Sequence, residues 1–129
     1  ALYDGTTLIP GTVVSSADFD ATTATTTVLT FVPTAEQQIA AGTTKTYELK
    51  VVVGAGTTSG TYLMSSIASD AAQSAGADAK YATVAADTNS NFVWSDMSAQ
   101  SHSKTTEDWT NGYLVKTLPT DTQSLTGAN

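Results

Sequence analysis

Over residues 43–53, apolar and polar side chains alternate. Tyr47, Leu49, Val51 and Val53 fall on one side, with Thr46, Glu48 and Lys50 on the other. Successive side chains of an extended strand point to opposite faces. This period of two therefore predicts a strand with one buried and one wet face. Shorter segments carry the same signal. Leu2, Tyr3, Leu8 and Ile9 flank a turn at Asp4-Gly5, and Pro10-Gly11 stops the second strand. Asp-Gly between apolar runs is a strong hairpin signal. Val13 and Val14 continue in extended form. Residues 25–32 are rich in β-branched side chains, with Thr27, Leu29 and Phe31 on one face, and Pro33 ends the run.

Further strands are predicted at 61–69, 81–86, 92–94 and 113–115. Residues 34–42 read as a crossing segment with Ile39 as its apolar plug and a turn at Gly42. Residues 70–80 are Ala-rich, but Gly76 and Asp78 favour a loop. Residues 96–108 form a polar loop, Asn111-Gly112 is a turn, and the polar tail 120–129 is expected to fray. About seven to eight short strands separated by regular turn signals predict an all-β fold, an antiparallel immunoglobulin-like β-sandwich filling residues 1–129 as one domain. Leu29, Phe31, Tyr47, Leu49, Val51 and Trp94 are expected to share its core.

Composition narrows the setting. The chain has 5 Lys, no Arg and 12 acidic residues, a net charge of −7. Displacing counterions from a nucleic acid needs a basic face, so nucleic-acid binding is excluded. With no Cys there is neither a disulfide scaffold nor a cysteine-based zinc site. No apolar run of 18 residues predicts a transmembrane helix. The 25 Thr and 13 Ser suit strands whose outer face meets water. Few charges and abundant Thr, Ser, Ala and Gly point to an extracellular or cell-surface protein of a microbe. The chain opens at Ala1, directly in strand-like sequence, and reads as a mature or excised piece of a longer secreted protein.

Two sets of residues carry a resemblance. Leu2-Tyr3-Asp4-Gly5-Thr6-Thr7-Leu8, followed by Ile39-Ala40-Ala41-Gly42-Thr43-Thr44-Lys45-Thr46-Tyr47-Glu48-Leu49-Lys50, resembles an immunoglobulin-like module of bacterial surface proteins. The second set is Phe92-Val93-Trp94-Ser95-Asp96-Met97-Ser98-Ala99, Ser101-His102-Ser103 and Asp108-Trp109-Thr110-Asn111-Gly112-Tyr113-Leu114-Val115. It is similar to the carboxy-terminal domain of large cell-surface proteins of the ultra-small candidate-phyla bacteria (Patescibacteria). The resemblance implies a sandwich and a surface location. It implies no catalytic residue.

Each candidate site has a plainer reading beside it. Asp18 and Asp20 place two carboxylates on one side of an extended segment, and calcium is the ion such oxygens would take. Asp87, Asn89 and Asn91 are similar. Both sets also suit ordinary turn chemistry. Trp109 and Tyr113 are candidates for stacking against a glycan, with Trp109 in a polar loop and Trp94 in the core. His102 lies between serines. It reads as a solvated loop residue, since a nucleophilic Ser needs a base placed in space and a third group orienting it. A cross-link from a buried Lys to an Asn would need a desolvated amine, and Lys50 falls on the wet face of its strand.

The expected function is structural and non-catalytic: a building block of a surface layer (S-layer), filament or adhesin. Its partners would be neighbouring copies or domains of the same protein. The alternative is a glycan-binding module. Leu2, Tyr3, Leu8 and Ile9 could then either join their own sheet or complete a neighbour's by strand donation.

Overall fold

The computed structural model describes residues 1–15, 26–52, 62–73 and 80–126. Asp18 and Asp20 lie outside them, as do Val53, Gly76 and Asp78. The chain divides into two compact units, Ala1–Thr58 and Ser59–Asn129. The described residues are strand-rich, all-β in outline, in several small antiparallel sheets with one short helix.

In the first unit, β1 (Leu2–Asp4) and β2 (Thr7–Ile9) form the expected hairpin, but Asp4 pairs with Thr7 and the turn residues are Gly5 and Thr6, one position later than Asp4-Gly5. Gly5 has φ +59°, the left-handed value that the first position of a tight type II′ turn requires. The other side of β1 pairs with β5 (Tyr47–Leu49), giving a sheet of order β2-β1-β5. The register aligns Ile9, Leu2 and Leu49 in one row. Ile9 is buried there. The next row, Leu8, Tyr3 and Glu48, falls on the opposite face, where Lys50 Nζ lies 4.4 Å from the centre of the Tyr3 ring. Lys45 pairs with Asp4 at 3.0 Å.

Strand β3 (Gly11–Ser15) pairs with β4 (Leu29–Pro33), setting Val13 opposite Phe31 and Ser15 opposite Leu29. Gly11 is demanded by closeness. A Cβ there would come within 2.6 Å of the Val32 carbonyl oxygen and 2.7 Å of Phe31 Cζ. Gly42, φ +75°, occupies the third position of a turn closed by Thr43 N–H donating to Ala40 O at 3.0 Å.

In the second unit, β6 (Tyr62–Ser65) pairs with β9 (Gln123–Thr126), and Thr120 bonds to Ile67 through backbone and hydroxyl. Strand β7 (Val93–Ser95) pairs with β8 (Trp109–Asn111). Helix α1 (Tyr81–Ala86) packs on this second pair and buries Val84 completely.

Several expectations are corrected. Residues 81–86 form a helix, not a strand. Six residues carry too few repeats to separate a period of two from one of 3.6, and Ala at three of the six positions favours the helix. Residues 113–115 form turns, with Val115 N–H donating to Gly112 O and Leu118 N–H to Val115 O. Strand β9 instead lies in the stretch expected to fray, because β6 offers it a partner. Strand β8 begins where a polar loop was expected to end.

The six side chains assigned to one core are not all buried: Leu29, Leu49, Val51 and Trp94 are exposed. Sheets of two or three strands, each three to five residues long, have too little face to cover such side chains. Leu49 and Val51 are exposed, as are Glu48 and Lys50, so the alternation here does not separate a buried face from a wet one.

Candidate functional site

The polar side chains with chemical potential gather around the β7–β8 pair. Its register sets Ser95 opposite Trp109 and Val93 opposite Asn111, so these four share one face. Trp94 and Thr110 take the other face. Trp109 and Asn111 are buried, whereas Trp94 remains 38% exposed. The sequence reading had the two tryptophans the other way round. The α1 side chains decide between them: Tyr81 meets the Trp109 ring edge-on, with centroids 5.1 Å apart.

Asp108, just before β8, is the hub of the first cluster. Its side chain is only 3% exposed. Oδ2 accepts hydrogen bonds from Ser95 Oγ at 2.8 Å and His102 Nδ1 at 2.7 Å. Oδ1 lies 2.6 Å from Thr106 Oγ1, whose single proton also faces Ser103 O at 2.7 Å. An ionised carboxylate only accepts, so His102 carries a proton on Nδ1. Burial alone would push the Asp108 carboxyl up. The hydrogen bonds from Thr106, Ser95 and His102 outweigh it and hold the group well below the usual carboxylate range.

His102 is therefore not the solvated loop residue expected. Its side chain is 11% exposed, and its ring lies tilted against Trp109 at 5.2 Å. The Trp109 indole N–H donates to Ser103 O at 3.0 Å. With Tyr81 and His102 against its ring and 7% exposure, Trp109 is an interior residue.

The second cluster centres on Asp70, also buried. Its Oδ1 accepts the Asn91 N–H at 2.6 Å. Its Oδ2 accepts the N–H groups of Gly112 at 2.6 Å and Phe92 at 3.2 Å. Burial alone would raise this carboxyl; the bonds from Asn91, Gly112 and Phe92 lower it on balance. Asn111, 1% exposed, sits beside it. Its Nδ2 donates to Ala71 O at 3.0 Å and its Oδ1 accepts the Tyr113 N–H at 3.1 Å. The Trp94 indole N–H donates to the Asn111 carbonyl at 2.9 Å.

The remaining predicted residues are dispersed. Tyr113 is exposed on a turn. Leu2 and Tyr3 lie in the central strand of their sheet, so β1 has both edges paired within its own chain, with Leu8 and Ile9 on the neighbouring β2. Asp87 Oδ1 accepts from the Asn89 backbone and side-chain nitrogens, both at 3.0 Å, an Asx turn. Among the described residues no cluster of three or more His, Asp or Glu is placed to hold a metal ion. Lys50 lies 3.2 Å from Glu48 in the open.

Asp70 and Asp108 were not singled out from the sequence. Asp70 stands in an Ala- and Ser-rich stretch with no neighbouring pattern. Asp108 stands beside Trp109 in the run 108–115, and no spacing rule ties it to Ser95 or His102. No family model, curated protein or solved structure matches the chain.

Proposed function

We propose that this chain is a structural, non-catalytic module of an extracellular microbial surface protein, a building block of a surface layer, filament or adhesin on an immunoglobulin-like plan. One observation carries the reading. Ser95, His102 and Asp108 are the residue types of a nucleophilic triad, yet their hydrogen bonds run differently. A triad passes the serine proton to histidine, which the acid orients. Here the Ser95 hydroxyl and His102 Nδ1 both donate to the same Asp108 oxygen. Such an arrangement closes a loop onto a strand. Asp70 acts likewise, tying three backbone N–H groups from two distant segments. The low charge and the resemblance of residues 92–99, 101–103 and 108–115 to surface-protein domains support the same reading.

The test is to concentrate the purified chain and examine it by light scattering and negative-stain electron microscopy. Ordered sheets or fibres are the expected outcome. A chain that stays monomeric and hydrolyses model esters or glycosides in a Ser95-dependent way would overturn the proposal.

Trp94 favours a second reading, a glycan-binding module. Its ring lies on the β7–β8 face opposite Trp109, its N–H is already held by Asn111, and exposed Phe92 stands two residues away. A fixed, exposed indole can stack on a sugar ring. Binding of soluble oligosaccharides by the native chain, lost in Trp94→Ala and kept in Tyr113→Ala, would favour this reading.

A further inference from the structure

Asn111 and Gly112 form the single Asn-Gly pair in the chain. Such a pair is chemically fragile, because glycine has no side chain to hinder attack by its nitrogen on the asparagine side-chain carbonyl carbon. In that reaction the bond from Gly112 N to Asn111 Cγ forms and the Cγ–Nδ2 bond breaks. The Gly112 N–H proton passes to a solvent base, and Nδ2 takes up a proton from solvent and leaves as ammonia. The cyclic imide then takes up one water and opens to aspartate or isoaspartate.

Both residues fit closely into their surroundings. A Cβ at Gly112 would fall 2.7 Å from Leu118 Cδ1 and 2.9 Å from Asp70 Oδ2. An acid or apolar residue at 111 would lose the donor to Ala71 O. The second unit therefore keeps its most self-reactive dipeptide at a buried position.

We propose that the Asn111-Gly112 pair is a latent self-modification site, and that the Asp70 carboxylate keeps it closed. The nitrogen that must attack is the one whose N–H donates to Asp70 Oδ2 at 2.6 Å. Attack requires that proton to leave and the nitrogen to turn towards Cγ, and both would break the bond. An amide N–H is a far weaker acid than a carboxylic acid, so Asp70 holds the proton on nitrogen and does not remove it. The target is held as well, with Nδ2 on Ala71 O and Oδ1 on the Tyr113 N–H. Asn111 is paired in extended form with Val93, and both residues of the pair are buried from the water that must act as base.

The site therefore reacts only when this region opens, and the result is one-way. The aspartate product puts a carboxylate against the carbonyls of Ala71 and Asn89, and the isoaspartate product runs the main chain through Cγ, adding a methylene and leaving the former main-chain carboxyl of residue 111 as a carboxylate. Buried like charge and unpaired acceptors then oppose reclosure.

The test compares the folded chain with the same chain in urea at neutral pH, with isoaspartate at Asn111 followed by peptide mass mapping. Conversion should be slower in the folded chain by roughly a hundredfold or more, since only the opened fraction reacts. Asp70→Asn should accelerate it in native buffer. A folded Asp70→Asn chain that converts at the wild-type rate would overturn the role of Asp70. Equal rates in folded and unfolded wild type would overturn the proposal entirely. Should Asp70→Asn fail to fold, the wild type carries the test. Across low urea concentrations, conversion must track exchange of the Gly112 amide hydrogen, and independence of the two rates would refute the closure.

Discussion

Asp70 accepts the Gly112 N–H at 2.6 Å across 42 residues of chain. The same carboxylate takes the N–H groups of Asn91 and Phe92, so one side chain joins the segment after β6 to the starts and ends of the β7–β8 pair. A small unit with few buried apolar side chains gains more from such a hub than a large domain would. Each bond fixes backbone that packing alone leaves free, and a buried N–H without a partner is costly.

Replacing Asp70 by Ala removes the acceptor of three buried or half-buried N–H groups at once. Stability of the second unit should fall by about 3 kcal/mol or more, since bonds to a charged group are each worth about 1.5–3 kcal/mol and are not fully additive. Urea titration followed by tryptophan fluorescence checks this, because Trp94 and Trp109 both lie in that unit. An unchanged midpoint would refute it.

Acid should weaken the same unit. The carboxyls of Asp70 and Asp108 are both lowered in the folded chain, by hydrogen bonds that outweigh burial. The folded state thus binds their protons less readily than the unfolded state does. Their contribution is complete above the unfolded value, about pH 4, and is lost as pH falls through the folded values below it. Melting temperature should therefore drop steeply below about pH 4. In Asp70→Asn that drop should be shallower, and an identical pH profile would count against the assignment.

Trp109 and Trp94 should behave as opposites. Trp109→Ala opens a cavity between Tyr81 and His102 and should cost about 3–5 kcal/mol. Trp94→Ala removes an exposed ring and one bond to Asn111 O, and should cost about 1 kcal/mol. In Trp94→Phe, where Trp109 is the remaining indole, acrylamide quenching should be weak. Strong quenching there would place Trp109 at the surface.

Glycines 5 and 11 separate two kinds of constraint in the first unit. Gly11→Ala drives a methyl into the Val32 carbonyl oxygen, which is backbone and cannot swing away. The β3–β4 pair should lose about 1–3 kcal/mol, the usual cost of forcing atoms into a filled space. Gly5→Ala meets no atom within 4 Å, yet its φ of +59° penalises any side chain by about 1–2 kcal/mol. Amide exchange in β3 and β4 should quicken in the first variant and not in the second.

Local rules determined much of the first unit. The hairpin followed from an Asp-Gly step between apolar runs, although its turn falls one residue later, and β4 followed from the β-branched run ended by Pro33. The alternation of side chains along β5 followed from period two. These features depend on backbone angles and on side-chain alternation, which neighbouring residues settle among themselves. The second unit was decided at longer range. Only β8 lying beside β7 in one register makes Trp109 interior and Trp94 exposed, and a shift of one residue would exchange them. Only the folded chain brings His102 and Ser95 to Asp108, or Gly112 to Asp70. A carboxylate capturing backbone N–H groups follows no spacing along the chain. The partners are defined by where main-chain groups are left unpaired after the strands form, and that is a property of the tertiary structure alone.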